Sequence, residues 1–123
     1  MEKEIEIWII QAQRDLKSAK NSFKSKDYYI SAFLSHQVVE KLLKAVYIQK
    51  FQKIWKIHDL VILAKEINAP LTIIEKCAVL NPVYFEVRYP ESEELPAKKI
   101  NKIEADEMLA IAGDILKWVE MMI

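Results

Sequence analysis

Glycine is almost missing from this 123-residue chain: Gly113 is the only one, where an average composition holds about 7%. Hairpin turns and phosphate-cradling loops draw on residues that adopt positive φ, a task glycine performs at no steric cost. So glycine-poor a chain is not expected to be β-rich or to carry a P-loop or dinucleotide fingerprint, and helix is the default. Cysteine is equally scarce. Cys77 stands alone, which excludes a disulfide framework and a cysteine-rich metal site and points to a reducing compartment. Net charge is absent too, 18 basic residues balancing 18 acidic ones, which argues against wholesale nucleic-acid binding by a basic surface. No apolar run approaches the ~18 residues of a membrane span, and Met1-Glu-Lys-Glu is too acidic for the start of a signal peptide. The expectation is a cytoplasmic protein with one domain over residues 1–123 and a single core.

What is present is helical patterning with an uneven spread of charge. Lys17, Lys20, Lys24, Lys26, Lys41, Lys44, Lys50, Lys53 and Lys56 load the first half, and Glu91, Glu93, Glu94, Glu104, Asp106 and Glu107 load the second. Two solvated faces of opposite sign would account for this, as would a basic groove beside an acidic, partner-facing edge. The hydrophobic fraction of 52% lies towards the upper end for a globular domain and suits an oligomer face. Abundant Ile, Lys and Glu resemble thermophile usage, although AT-rich coding produces the same bias.

Ile5, Trp8, Ala12, Leu16, Ala19 and Phe23 recur at steps of three and four, predicting a first helix over about Lys3–Phe23. Asp27 is placed as the N-cap of a second, Tyr28–Lys50, which is apolar nearly all round and therefore central. The two form an αα-hairpin. Phe51–Ile57 reads as a loop, His58–Ile67 as a short third helix, and Pro70 as the first residue of a fourth that runs through Leu71–Leu80. Asn81-Pro82 interrupts it, with Val83–Arg88 continuing at a kink. Tyr89–Pro96 is a loop. Asn101 and Glu104 form a capping-box variant that launches a last helix to about Met122, whose apolar face Met121, Met122 and Ile123 extend to the chain end. The fold class is all-α, an up-and-down bundle of about five helices built on the long hairpin.

The most informative stretch is the charge-free run Tyr28–Val39 opening into Glu40-Lys41-Leu42-Leu43-Lys44-Ala45. His36, Gln37 and Glu40 sit within an otherwise apolar helix, and buried polar groups must be satisfied by a network, a partner or a ligand. His36 and Glu40 face each other at i, i+4, but two ligands do not make a zinc site, and there is no cofactor motif. Cys77 lies among Ile73, Ile74, Ala78 and Val79 and reads as core. Arg88 is one of only two arginines among the 18 basic residues. That choice suits a planar fork on a carboxylate or phosphate, either in a ligand or in a structural pair with Asp15, Glu40 or Asp59. His58, followed by Asp59, is a cap or packing residue or an acid–base group. Trp55 between Lys53 and Lys56 resembles a small aromatic–basic patch.

The ordered set Trp8-x3-Ala12-x2-Asp15-Leu16, Tyr29-x2-Ala32-Phe33-x2-His36-Gln37-x2-Glu40-Lys41-x2-Lys44-Ala45, His58-Asp59-Leu60 and Tyr84-x3-Arg88-Tyr89-Pro90, with Ala112 and Trp118 on the last helix, resembles the HEPN family. The resemblance implies a small helical bundle, usually homodimeric, often acting with a small nucleotidyltransferase in a toxin–antitoxin-like pair. Other members are metal-independent ribonucleases whose sites pair an Arg with a His four to six residues on. Here Arg14 meets no histidine before His36, and none follows Arg88. The reading that follows is a non-catalytic dimeric module that binds nucleotide or nucleic-acid phosphate, or docks a nucleotidyltransferase, through Arg88, Tyr89, His36, Gln37, Glu40, Lys44 and His58. A ribonuclease with a non-standard Arg/His site and a ligand-free dimeric scaffold are the alternatives.

Overall fold

The computed structural model describes residues 2–86 and 95–123. They form six α-helices: α1 (Glu2–Lys24), α2 (Tyr28–Phe51), α3 (Leu60–Glu66), α4 (Leu71–Leu80), α5 (Val83–Glu86) and α6 (Lys102–Met122). A 3₁₀ turn, Pro96–Lys98, precedes α6, and there is no strand among the described residues. The all-α fold class expected from the patterning is observed.

Helix α2 is the axis. It packs along α1 and α6 and also touches α3, α4 and α5. A helix with neighbours on most sides has no broad face turned to solvent, which is why thirteen of its residues are buried. Against α1 the contact is made by small side chains: Ala12 and Ala19 on one helix, Ser31, Ala32 and Ser35 on the other, all but inaccessible. The Ser31 hydroxyl donates to the Ala19 carbonyl at 2.8 Å, which satisfies a buried hydroxyl between the two helices. The main core collects Leu16, Leu42, Leu43, Leu60, Leu63, Leu80, Ile111 and Ile115, each contributing about 1.5–3 kcal/mol on full burial. Cys77 is in it, fully buried.

The helix ends depart from expectation in an instructive way. Among the described residues three take positive φ, namely Lys26 (65°), Gln52 (56°) and Asn68 (58°), and none is glycine. Lys26 and Asn68 close Schellman motifs: Asp27 N–H reaches the Ser22 carbonyl at 2.9 Å and Ala69 N–H that of Ala64 at 3.0 Å. Gly113 lies inside α6, where no such conformation is needed. Asp27 occupies the N-cap position of α2, but its side chain makes no cap bond. It is also the residue that ends the Schellman turn of α1, and its ψ of 71° is not the extended geometry a capping side chain uses.

Helix α3 starts two residues later than expected, because Asp59 takes the N-cap and accepts from Ile62 N–H at 2.9 Å. Pro70 is the N-cap residue of α4 instead of its first helical residue, in extended geometry with ψ 157°. At α6 the capping box is complete: Glu104 N–H donates to Asn101 Oδ1 at 2.8 Å and Asn101 N–H to Glu104 Oε1 at 3.1 Å. Its buried face ends at Val119, and Met121, Met122 and Ile123 are exposed, so the apolar face does not continue into the core. Residues 87–94, which include Arg88, Tyr89 and most of the expected loop, lie outside the described residues. No described helix is long and apolar enough to cross a membrane.

Candidate functional site

Helical spacing puts His36, Glu40 and Lys44 on successive turns of one face of α2. That face is covered, so all three are buried, at 0%, 5% and 5% exposure. Glu40 is the hub. Lys44 Nζ donates to its Oε2 at 2.9 Å, and His58 Nδ1 sits 3.0 Å and 3.1 Å from its two oxygens. The Lys44 ammonium has the Trp8 ring of α1 on another side, 5.8 Å from the centroid. An aromatic face is one of the few surfaces that favours a cation withdrawn from water.

Burial lowers the His36 pKa from 6.5 to about 4; Glu40 opposes the shift, while His58 and Lys44 add to it. His36 is therefore neutral near pH 7, and its 3.9 Å approach to Glu40 is a close contact instead of an ion pair. Its Nε2 is buried and has no hydrogen-bond partner among the described residues. Gln37 Nε2 lies 3.5 Å from its Nδ1, at the limit of a hydrogen bond. His58 is different, since its side chain keeps 47% exposure. The carboxylate oxygens only accept, so Nδ1 is the nitrogen that donates to Glu40.

Two bonds to backbone N–H groups and one ring stack hold His58 there. Asp59 caps α3, and the next N–H, that of Leu60, donates to Asn81 Oδ1 at 2.8 Å. This ties the start of α3 to the α4–α5 elbow. That elbow then delivers Tyr84, whose ring stacks on His58 with centroids 4.7 Å apart and planes 16° from parallel. The same ring stands 5.5 Å from His36. Outside this stack the described residues leave a cleft of about 500 Å³. Ile57, Pro82 and Phe85 supply its apolar walls, and His58, Asp59, Asn81 and Tyr84 its polar atoms.

Of the residues singled out from sequence, the fold brings together His36, Gln37, Glu40, Lys44 and His58, while Arg88 and Tyr89 lie outside the described residues. The carboxylates considered as structural partners of Arg88 have other contacts. Asp15 bonds Lys41 and also accepts from Gln11 at 2.9 Å, Glu40 holds Lys44 and His58, and Asp59 caps α3. Sequence reasoning missed Asn81 and Tyr84 as site residues, Asn81 having been read only as a helix breaker. It also missed Trp8 behind Lys44. Among the described residues no three His, Cys, Asp or Glu side chains are arranged to hold a metal ion.

A family model described as the HEPN domain matches residues 5–122 of this chain. No curated protein matches it. Among solved structures, TT1696 from Thermus thermophilus superposes with a TM-score of 0.89 at 26% identity, covering 97% of this chain and 98% of that one. ST0689, described as an archaeal HEPN homologue, gives 0.83 at 32% identity, with 96% of each chain covered. A HEPN domain protein from Thermotoga maritima, tm0613, gives 0.75 at 22% identity over 94% of this chain and 95% of that one, a likeness of fold alone.

Proposed function

The chain belongs to the HEPN domain family, and from that premise we propose that it is a single-domain, non-catalytic module that binds a nucleotide or a nucleic-acid strand. It works as a homodimer, and docking a small nucleotidyltransferase, in the manner of a toxin–antitoxin pair, is the alternative role of the same module. One observation carries the binding reading. A carboxylate and an ammonium are buried on the central helix, Glu40 with Lys44, and the pair's remaining contact fixes one half-exposed imidazole at the mouth of a cleft. Burying two charges costs several kcal/mol per ion before their attraction is counted, and a hydrophobic pair of similar volume is often as stable. Retaining them suits a role in orienting His58.

In this reading Glu40 and Lys44 are positioning residues. His36 stands behind Tyr84 with Gln37 beside it, His58 meets the ligand, and Arg88 with Tyr89, four and five residues beyond Tyr84 in sequence, supplies the phosphate fork. The dimer face is supported by a second groove of about 400 Å³, to which Ile9, Ile10 and Ile123 contribute. Nearby in sequence, Ile7 and Met121 are exposed at 58% and 87%.

Calorimetric titration of ATP and a short single-stranded RNA tests the proposal, alongside light scattering and co-purification with a co-expressed nucleotidyltransferase. Binding is expected to be weakened in Arg88→Ala and His58→Ala while the circular dichroism is unchanged. Equal binding by Arg88→Ala would remove the assigned site.

A metal-independent ribonuclease is the second reading, favoured by the Glu40–His58 contact, which leaves Nε2 able to take a proton from a 2′-hydroxyl. It requires RNA cleavage that survives EDTA and disappears in His58→Ala; intact RNA after incubation with dimeric protein ends it.

A further inference from the structure

We infer that the cleft between the start of α3 and the α4–α5 elbow takes the base of a nucleotide, not its phosphate, and that Asp59 and Asn81 read the base edge. This rests on the nucleotide-binding reading above and adds which half of the ligand goes where. The described charges do not favour a bare anion there. Asp59 contributes a carboxylate to the lining, Glu40 stands behind His58, and Lys44 is spent on Glu40.

The walls instead suit a flat ring. The Tyr84–His58 stack forms one side, and Phe85, edge-on to Tyr84 at 5.2 Å and 79°, stands beside it, exposed at 62%. Ile57, exposed at 53%, adds a further apolar surface. Stacking on aromatic faces is worth about 1–3 kcal/mol per base and tolerates any base.

Between these walls stand two polar groups whose orientation is fixed by other bonds. Leu60 N–H requires an acceptor, so the Asn81 amide must present Oδ1 to it and leave its NH₂ as a donor. Asp59 uses Oδ1 to cap α3, which leaves Oδ2 as an acceptor. Both residues line the cleft, and a donor together with an acceptor is the complement of the Watson–Crick edge of a nucleobase, where a ring nitrogen adjoins an amino or carbonyl group. A phosphate, which only accepts at neutral pH, matches one of the two and is repelled by the other.

Two substitutions invert these groups without disturbing the caps. Asn81→Asp keeps the acceptor for Leu60 N–H and loses the donor, and Asp59→Asn is still a good N-cap. The wild-type chain and both variants are titrated with the four ribonucleosides and with ribose 5-phosphate by calorimetry, and their helicity and urea midpoints are compared. The expected result is that a nucleoside binds, ribose 5-phosphate does not in the same range, and each variant binds that nucleoside about tenfold more weakly, the usual cost of one lost hydrogen bond. Binding of ribose 5-phosphate without any nucleoside would leave the nucleotide reading standing and overturn this one. Nucleoside binding that neither variant alters would also overturn it, placing the base elsewhere. Binding of neither probe, with ATP inactive as well, would remove both.

Discussion

Lys44 is a nearly buried cation whose only acidic contact among the described residues is Glu40, so the pair invites a double-mutant cycle. Glu40→Gln preserves shape and one acceptor but deletes the charge. Lys44, 5% exposed, is then left with an amide oxygen and the Trp8 ring at 5.8 Å. Removing one partner of a buried ion pair costs about 3–5 kcal/mol, and the retained acceptor places Glu40→Gln near the lower end, about 3 kcal/mol. In a domain of this size that lowers the thermal midpoint by roughly 10 °C. Lys44→Met leaves the carboxylate with His58 as its remaining donor and is expected to cost about 2–3 kcal/mol, slightly less because His58 reaches solvent. The double variant Glu40→Gln/Lys44→Met removes both charges together and should cost well under the sum of the two single costs. Urea unfolding at pH 7.5, followed by circular dichroism, gives all four corners of the cycle and its coupling energy. The double variant should nevertheless lose ligand binding, because His58 has lost its anchor. Additive costs, with no recovery in the double variant, would refute the description of Glu40 and Lys44 as one buried pair.

Acid should destabilise the protein through His36, whose folded pKa of about 4 lies below its ordinary 6.5. Between those values the unfolded chain binds a proton that the folded chain refuses, so stability falls with decreasing pH by up to about 3 kcal/mol and levels off below pH 4; His36→Phe should flatten that part of the urea-midpoint profile against wild type. Cys77, fully buried and with its pKa raised to about 12 by burial, should resist a thiol reagent at pH 8 in the folded protein and react within seconds in 6 M guanidinium. Gly113 sits within α6 with nothing within 4 Å of where a Cβ would stand. Gly113→Ala should therefore stabilise by about 0.5–1 kcal/mol, read as a rise in the urea midpoint.

The parts of the fold legible in sequence were those set by local rules. The apolar spacing of Ile5, Ala12, Leu16 and Ala19 marks α1 because a helix repeats every 3.6 residues regardless of its partners. The Asn101–Glu104 box marks the start of α6 because both of its bonds close within one turn. Where two local rules competed, sequence reasoning chose wrongly. Asp27 is a good capping residue, but the Schellman turn of α1 had already set its backbone, and the cap was not made. Positive φ fell to Lys26, Gln52 and Asn68 instead of to the one glycine, since helix-ending bonds can stabilise a left-handed residue of another type.

The candidate site shows the same division. His36, Glu40 and Lys44 share a face by periodicity, so their grouping could be read directly, and the HEPN pattern added His58. Periodicity could not say that Lys44 would be withdrawn from solvent onto Trp8, nor that His58 alone of the four would stay half open. It offered no reason to pair Asn81 with Leu60, 21 residues earlier, or Tyr84 with His58. The sequence alone determined the helices, their apolar faces and the presence of polar groups that needed partners, because those properties depend on neighbours three or four residues away. Only the tertiary structure decided which partners they found, because the α3 start and the α4–α5 elbow meet α2 through contacts between residues distant in the chain, and no local repeat encodes that meeting.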